Sequence, residues 1–272
     1  MRVPLPERLR EHAQGYNGSV VEPRHASTII VVRDGAQGVE AYLMRRQTSM
    51  AFAAGMYVFP GGGMHPTDVT DDVPWAGPSP AEWGARLGCD ESMARGLVVA
   101  AVRETFEETG VLLAGPDAST VLSDTSGADL QAARATLEAG ELGFGELLRS
   151  HGLVLRSDLV GAWAHWITPS FEPRRYDTRF FVAALPEGQR VGEMSREADH
   201  ASWIPLREVL DRVEAGEAAM MPPTVVACRE VAGHTASTIL GAAAERTIRT
   251  IEPRLIEVDG ELFLETDLGD PA

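Results

Sequence analysis

Residues 92–109 predict a helix whose two faces differ in chemistry, and this helix constrains the fold more than any other segment. Glu104, Glu107 and Glu108 are spaced i, i+3 and i+4, so a helix places their three carboxylates on one face. Apolar side chains at i, i+3 and i+7 give the opposite face a stripe that can pack against a core: Val99, Val102 and Phe106. Gly110 follows at the position where helices commonly end. The sequence therefore predicts a helix with a packed back and an acidic front.

The acidic face predicts a metal site. Three carboxylates this close repel one another, and their pKa values would rise unless a cation lay among them. A hard divalent cation, Mg²⁺ or Mn²⁺, takes oxygen ligands and keeps room for water and phosphate. The alternative is a solvated helix face that is stabilised by an i, i+4 pair between Arg103 and Glu107. A glycine turn upstream, at residues 60–63, and the apolar back face favour the metal site.

The segment from Arg103 to Val111 resembles the second half of the Nudix box, the signature of a family of hydrolases that cleave nucleoside diphosphates linked to another group. Thr105 stands at a position of the box that is usually apolar. In the first half, five residues separate Gly62 from Asp68, which stands where the family has Glu, and 34 residues rather than seven separate Asp68 from Arg103. We expect the additional residues to leave the box as a loop and to spare the helix.

Segments outside the box resemble the coenzyme A diphosphatases of the Nudix family. Arg46, Gly55 and residues 59–62 fall where the pattern of these enzymes puts them, although its second Arg falls at Ala51. Two later segments resemble the organellar branch of these enzymes and its bacterial relatives, which carry a long insertion inside the box: residues 166–169 and residues 173–181. The similarity runs from about Ser27 to the end of the chain.

The resemblance implies a catalytic set. It consists of Arg103, Glu104, Glu107, Glu108 and Glu197, of which Glu104, Glu107 and Glu108 would be the metal ligands. Arg103 would pair with one of the ligands and hold its orientation. Glu108 is expected to face solvent and metal. Glu197, outside the box, is the expected base or further ligand, with Glu193 and Asp199 as alternatives.

Phosphate recognition is expected from the glycine turn and from arginines, because a guanidinium fork matches phosphate oxygens. The substrate-binding residues are then Gly61, Gly62, Gly63, Arg46, Arg174, Arg175 and Arg179. The alternative is that these arginines pair with nearby acids such as Glu172 and Asp177. Aromatic side chains at Trp163 and Trp166 could stack on a base but are more often core, and His165 is expected to be a structural histidine.

Composition limits the partners. The net charge of −16 argues against nucleic acid as a partner, and it makes a metal ion necessary for a diphosphate substrate. The longest apolar stretch is too short to span a bilayer, and no signal peptide is visible, so we expect no membrane partner. Only two cysteines occur, Cys89 and Cys228, which fits free thiols in the cytoplasm. A homodimer is compatible with the sequence, which does not determine the oligomeric state.

Strands and helices alternate without regular βαβ spacing, which predicts an α+β fold, an α/β/α sandwich with a mixed sheet between helices. This is also the fold that the Nudix resemblance implies. Residues 1–24 are expected to form an N-terminal extension, and residues 25–272 a single Nudix domain with insertions near 69–95 and 118–157. Hairpins are expected at residues 27–46, turning about Asp34-Gly35, and at residues 255–264, turning about Asp259-Gly260.

Three functions stay open at this point. The favoured one is a metal-dependent pyrophosphohydrolase that acts on a coenzyme A-like nucleotide. The second keeps the reaction but changes the substrate to NADH, ADP-ribose or a dinucleoside polyphosphate. The third is a catalytically silent nucleotide-binding protein on a Nudix fold, which would be favoured if Asp68 and the insertion displaced the acidic helix.

Overall fold

The computed structural model describes residues 2–47, 53–70, 72–192 and 198–268. Its strands are β1 (Arg2–Pro4), β2 (Arg24–Gly35), β3 (Gly38–Arg46), β4 (Tyr57–Val58), β5 (Gly61–Gly63), β6 (Trp75–Ala76), β7 (Ala114–Gly115), β8 (Val154–Arg156), β9 (Gly161–Ile167), β10 (Tyr176–Ala184), β11 (Ala198–Pro205), β12 (Thr250–Ile251), β13 (Arg254–Val258) and β14 (Glu261–Glu265). Its helices are α1 (Glu7–Gln14), α2 (Pro66–Thr70), α3 (Pro80–Leu87), α4 (Glu91–Thr109), α5 (Ala128–Glu138), α6 (Phe144–Ser150), α7 (Leu206–Glu214), α8 (Pro222–Val231) and α9 (Ile239–Glu245). A 3₁₀ turn spans Ser157–Leu159.

The main sheet is mixed, as the sequence predicts. Its strand order is β11-β3-β2-β10-β9-β12, with β4 added to β3 and β5 added to β2. The pairs β10–β2 and β12–β9 are parallel, whereas β11–β3, β2–β3 and β10–β9 are antiparallel. Strand β2 therefore lies near the centre of the sheet, next to the glycine strand β5.

The two faces of this sheet support separate cores. Alternate residues of β2 point to opposite sides, because side chains in a strand alternate. Ile29 and Val31 pack with α3, α4, α5 and α6, whereas Ile30 and Val32 pack with α7, α8 and α9. Helices therefore cover both faces, and the predicted α/β/α sandwich is confirmed.

Helix α4 forms as the sequence predicts. Asp90 is its N-cap and accepts a hydrogen bond from the Met93 N–H, and Gly110 ends it with a φ of 74° in the left-handed region. The predicted apolar stripe is fully buried: Val99, Val102 and Phe106. Thr105, at a usually apolar position of the box, is also buried. Its hydroxyl group tolerates burial because it donates to the Ala101 carbonyl at 2.8 Å.

The first insertion is not a loop, so that expectation was wrong. It includes β6 and helix α3, which starts with a capping box between Ser79 and Glu82 and carries Pro80 in its first turn. Trp83 of α3 is buried against Phe181 of β10, with ring centroids 5.8 Å apart. The insertion is ordered because the apolar side of α3 is buried against the central sheet. As expected, α4 itself is spared.

The remaining predicted elements are close to their expected places. The β2–β3 hairpin forms, with Gly35 opposite Gly38, so its turn lies two residues later than predicted. The β13–β14 hairpin turns at Asp259 and Gly260, both with positive φ. Strand β1 of the N-terminal extension pairs with β14 in a separate three-stranded sheet. No helix within the described ranges is long and apolar enough to cross a membrane.

Candidate active site

The glycine strand β5 lies directly against the acidic face of α4. The Gly61 N–H donates to Oε2 of Glu108 at 2.7 Å. A Cβ added to Gly62 would come within 2.5 Å of the Glu104 carboxyl group, so only glycine allows this close approach. Pairing of β5 with residues 26–28 of β2 fixes the turn. The backbone of β5 therefore holds the Glu108 carboxylate and lies directly beside that of Glu104.

Glu108 is buried at 6% exposure, which contradicts the expectation that it faces solvent. Its burial follows from the contact with the Gly61 N–H, because β5 covers that side of the last helical turn. The hydrogen bond orients the carboxylate, since a charged acceptor binds a backbone donor more strongly than a neutral one does.

Arg103 connects the two halves of the interrupted box. Its Nε and Nη2 donate to the two carboxylate oxygens of Asp68 at 2.8 and 3.0 Å, and Nη2 also donates to the Gly63 carbonyl at 3.0 Å. Both side chains of this ion pair are buried, with 3% and 1% exposure. Helix α2 places Asp68 at this position despite the 34 intervening residues, so the shorter acid and the insertion do not displace α4.

The same arginine also holds two of the glutamates. Its Nη1 donates to Glu104 Oε1 at 2.9 Å and to Glu107 Oε1 at 3.1 Å. Burial alone would lower the pKa of Arg103, but the hydrogen bond to Asp68 and the charges of both glutamates raise it above its usual range. Arg103 therefore stays charged, and it orients Glu104 and Glu107 as the resemblance implies.

One arginine does not balance the acids around it. Burial raises the pKa of Glu107 to about 7, although Arg103 opposes the shift, and it also raises the pKa of Glu104. In the described part of the chain, no three acidic, histidine or cysteine side chains are already arranged as a metal-binding group, and two of the candidate ligands pair with Arg103. The chemistry of the donors nevertheless fits a hard divalent cation, because all are carboxylates and negative charge is in excess.

The ion pair between Asp68 and Arg103 gives a test of the box geometry. Asp68→Asn keeps the size of the side chain but removes its charge, and we expect a loss of about 2 kcal/mol in the free energy of unfolding. The loss should be smaller than for an isolated buried pair because Glu104 and Glu107 still face Arg103. Urea denaturation measures it. Asp72→Asn, at an exposed acid in the same insertion, is the control and should change little.

The predicted phosphate-binding arginines lie in different places. Arg46 ends β3 and shares a face with Tyr42 and Met44, because these residues alternate along the strand. Arg174 is exposed before β10. Arg175 donates to Val21 O, Thr168 O and Glu252, and Arg179 pairs with Asp177 beside His165.

Arg175 and Arg179 both pair with acids within the fold, and a substrate-binding role for them stays a prediction. Arg179 lies in β10 and Arg175 directly precedes that strand, on the side of β2 opposite to β5, and each guanidinium group donates to partners within the fold. The alternative that Arg179 pairs with Asp177 is confirmed. For Arg46 and Arg174, substrate binding stays a prediction.

The expected base lies outside the described residues. Glu193 and Glu197 belong to residues 193–197, whereas the third candidate, Asp199, accepts a hydrogen bond from Arg45 at 2.8 Å. The described flank is close to the site, since the Gly192 N–H donates to the Thr109 carbonyl at the end of α4 at 2.8 Å. The role of Glu197 therefore stays a prediction.

An aromatic pair that joins β3 to β11 was not predicted from the sequence. Tyr42 packs edge-on against Trp203 of β11, with ring centroids 5.5 Å apart, in a cluster that includes Met44 and Val58. Burial raises the pKa of Tyr42, the charge of Arg134 lowers it, and the charge of Glu108 raises it further. The alternation of Tyr42, Met44 and Arg46 along β3 was the available signal.

The aromatic strand β9 is structural, as the sequence favours. Trp163 and Trp166 are buried in the core on the face away from α4. His165 Nε2 lies 2.5 Å from Asp177 Oδ1, and its Nδ1 lies 2.8 Å from the Thr250 hydroxyl. The prediction of a hydrogen-bonded structural histidine is confirmed.

A mixed sheet between helices, with a glycine turn and an Arg-Glu-x-x-Glu-Glu helix in contact, defines the Nudix fold. The crystal structure of a NUDIX hydrolase from Alicyclobacillus acidocaldarius superposes with a TM-score of 0.66 at 28% identity, covering 82% of this chain and 97% of that chain. The sequence profile described as "NUDT19 Nudix domain" matches residues 89–231, more than half of the chain. The chain belongs to this family of Nudix domains. The matched region begins after Asp68 and does not include the glycine turn. In the structure, this turn lies against helix α4 of the matched region.

The chain is also similar to named proteins. "Putative nudix hydrolase 7" of Caenorhabditis elegans is 29% identical over 202 residues, which are 74% of this chain and 58% of the relative. "Acyl-coenzyme A diphosphatase NUDT19" of Gallus gallus is 28% identical over 181 residues, which are 60% of this chain and 44% of the relative. The chain thus spans about half the length of these curated relatives.

Proposed function

We propose that this chain is a divalent-metal-dependent pyrophosphohydrolase that cleaves the diphosphate of a nucleoside diphosphate linked to another group. The observation that carries the proposal is the contact between the glycine strand and the acidic helix, where Gly61 and Gly62 meet Glu108 and Glu104. The buried pair of Arg103 with Asp68 supports it further, because the interrupted box is assembled.

The residues divide into three roles. Glu104, Glu107 and Glu108 would hold Mg²⁺ or Mn²⁺, which when bound would neutralise the diphosphate and make a bound water acidic. Arg103 orients two of these carboxylates, and the Gly61 N–H orients the third. Glu197 would take the proton of the attacking water as a new P–O bond forms and the bridging P–O bond breaks.

A coenzyme A-like substrate is favoured within this reaction. Support comes from the diphosphatase name of the chicken relative and from the coenzyme A-type residues around the box. Cleavage would release adenosine 3′,5′-bisphosphate and a 4′-phosphopantetheine product. Arg46, on the face of β3 that carries Tyr42, would bind a substrate phosphate. The free thiols of Cys89 and Cys228 support the cytoplasmic location that composition favours.

A panel of diphosphates with Mg²⁺ tests the substrate. We expect coenzyme A or an acyl-coenzyme A to be cleaved fastest, with products identified by mass. Faster cleavage of NADH, ADP-ribose or a dinucleoside polyphosphate would contradict the coenzyme A preference and keep the reaction. Binding without cleavage of any of them would favour the catalytically silent alternative.

The surplus charge predicts a pH-dependent response to metal. Glu107 has its pKa raised from 4.5 to about 7, so the stability associated with its protonated form is present below pH 4.5 and is lost as the pH rises through about 7. A bound cation would offset that loss. Mg²⁺ at a hundredfold excess over its Kd should therefore stabilise by about 2.7 kcal/mol at pH 8. For a chain of this size, that raises the melting temperature by about 5 to 10 °C.

At pH 5 the increase should be much smaller, because protons compete for the same oxygens. Thermal unfolding with EDTA or with Mg²⁺ at both pH values measures the difference. Glu107→Gln is the matched control, since it removes this titration and should flatten the pH dependence of the metal-free protein. Equal increases at pH 5 and pH 8 in the wild type would contradict the metal assignment.

A further inference from the structure

We propose that Arg134, on the inserted helix α5, is a positioning residue that sets the carboxylates of Glu107 and Glu108 for a divalent cation by holding the last turn of α4. The inference rests on the proposed function, because it assigns a task to the second insertion within the same site. Arg134 is 6% exposed. Its Nε and Nη2 donate to the Glu107 carbonyl at 3.1 and 2.9 Å, and its Nη1 donates to Gln131 at 3.2 Å.

The contact satisfies a need of the helix end. The last four carbonyls of a helix have no partner within the helix, and a buried end must find partners elsewhere. Arg134 supplies two donors to one of these carbonyls, and Thr125, also in the insertion, donates to the Gly110 carbonyl at 2.8 Å. A cation at a helix C-terminus is also favoured by the helix dipole. The insertion therefore grips the end of α4 that carries the acidic residues.

Arginines hold both the side chain and the backbone of Glu107. Its carboxylate accepts a hydrogen bond from Arg103 and its carbonyl accepts two from Arg134, so rotation or fraying of this turn would break contacts on both sides. The next residue, Glu108, must stay 2.7 Å from the Gly61 N–H. Removing a residue that orients a metal ligand without touching the metal lowers metal affinity by about 10- to 100-fold.

Arg156 gives a matched control in the same insertion. It is 7% exposed, its Nη1 donates to the Thr120 carbonyl at 2.9 Å, and its other donors pair with Asp158. Arg134 and Arg156 are thus buried arginines that tie a carbonyl, but only Arg134 ties one of α4. Loss of either should cost stability, and only loss of Arg134 should change metal binding.

Isothermal titration of the metal-free full chain with Mn²⁺, without substrate, tests the proposal. We expect Arg134→Met to raise the Kd for Mn²⁺ about tenfold. Arg134→Lys keeps the charge but cannot make the two-donor contact, so its Kd should lie between those of the wild type and Arg134→Met. Arg156→Met should bind as the wild type does. Hydrogen exchange at residues 105–110 should quicken in Arg134→Met and stay unchanged in Arg156→Met.

The outcomes separate the two proposals. A wild-type Kd in Arg134→Met, or equal weakening in Arg156→Met, would overturn the positioning role. If Arg134→Met does not fold, a wild-type Kd in Arg134→Lys would overturn it equally. A wild type that binds Mn²⁺ but cleaves no diphosphate would contradict the proposed function while leaving the comparison of the arginine variants valid.

Discussion

Glu108→Gln is expected to lower kcat/KM on a cleavable diphosphate by about a thousandfold, which corresponds to about 4 kcal/mol of transition-state stabilisation. The amide removes the negative charge that a divalent cation requires. Folding should survive, although Glu108 is buried, because the amide oxygen can still accept the hydrogen bond from the Gly61 N–H. We therefore expect a variant with near wild-type thermal stability in EDTA, low turnover and a reduced response to Mg²⁺.

Glu91→Gln is the matched control for this variant. It makes the same change in the first turn of the same helix, where Glu91 is exposed. Its turnover should equal that of the wild type. Wild-type turnover in Glu108→Gln would contradict the metal role of this residue, and loss of folding would show that the buried charge itself, rather than the hydrogen bond, maintains the contact with β5.

The central part of this site could be predicted because its signals lie close together in the sequence. The three glutamates lie in one helix and Gly110 directly follows it, and the structure ends α4 where this pattern predicts. Helix α3 could have been predicted in the same way, since Ser79 and Glu82 form a capping-box pattern and Pro80 suits a first helical turn. A proline in the first turn favours a helix start, so Pro80 argues against the loop that we expected for this insertion.

Other features depend on contacts between distant segments and leave no local signal. The burial of Glu108 requires Gly61, 47 residues earlier. Arg175 donates to Glu252, 77 residues later, and a pattern of adjacent arginines could not predict this pairing. By contrast, Asp177 and Arg179 are spaced i, i+2 on one strand face, and their pairing was visible as an alternative.

Gly62→Ala is expected to lower kcat by about a hundredfold, because misplacement of a reacting group by about 1 Å costs this much. The new methyl group would lie 2.5 Å from the Glu104 carboxyl carbon and Oε1, so the carboxylate must move. The backbone need not change, since the φ of Gly62 is not positive and suits alanine as well. A flexible glutamate can give way cheaply, so the free energy of unfolding should change by less than about 1 kcal/mol.

Gly63→Ala separates this local effect from a general intolerance of the turn. It places the same methyl group at the next residue of β5, where a Cβ would meet no atom within 4 Å. We expect Gly63→Ala to keep wild-type Mn²⁺ affinity, while Gly62→Ala loses Mn²⁺ affinity together with turnover. Equal losses of Mn²⁺ affinity in the two variants would mean that metal binding depends on the flexibility of the turn. Equal retention would mean that Glu104 can leave its position without consequence, which would exclude it from the metal-binding set.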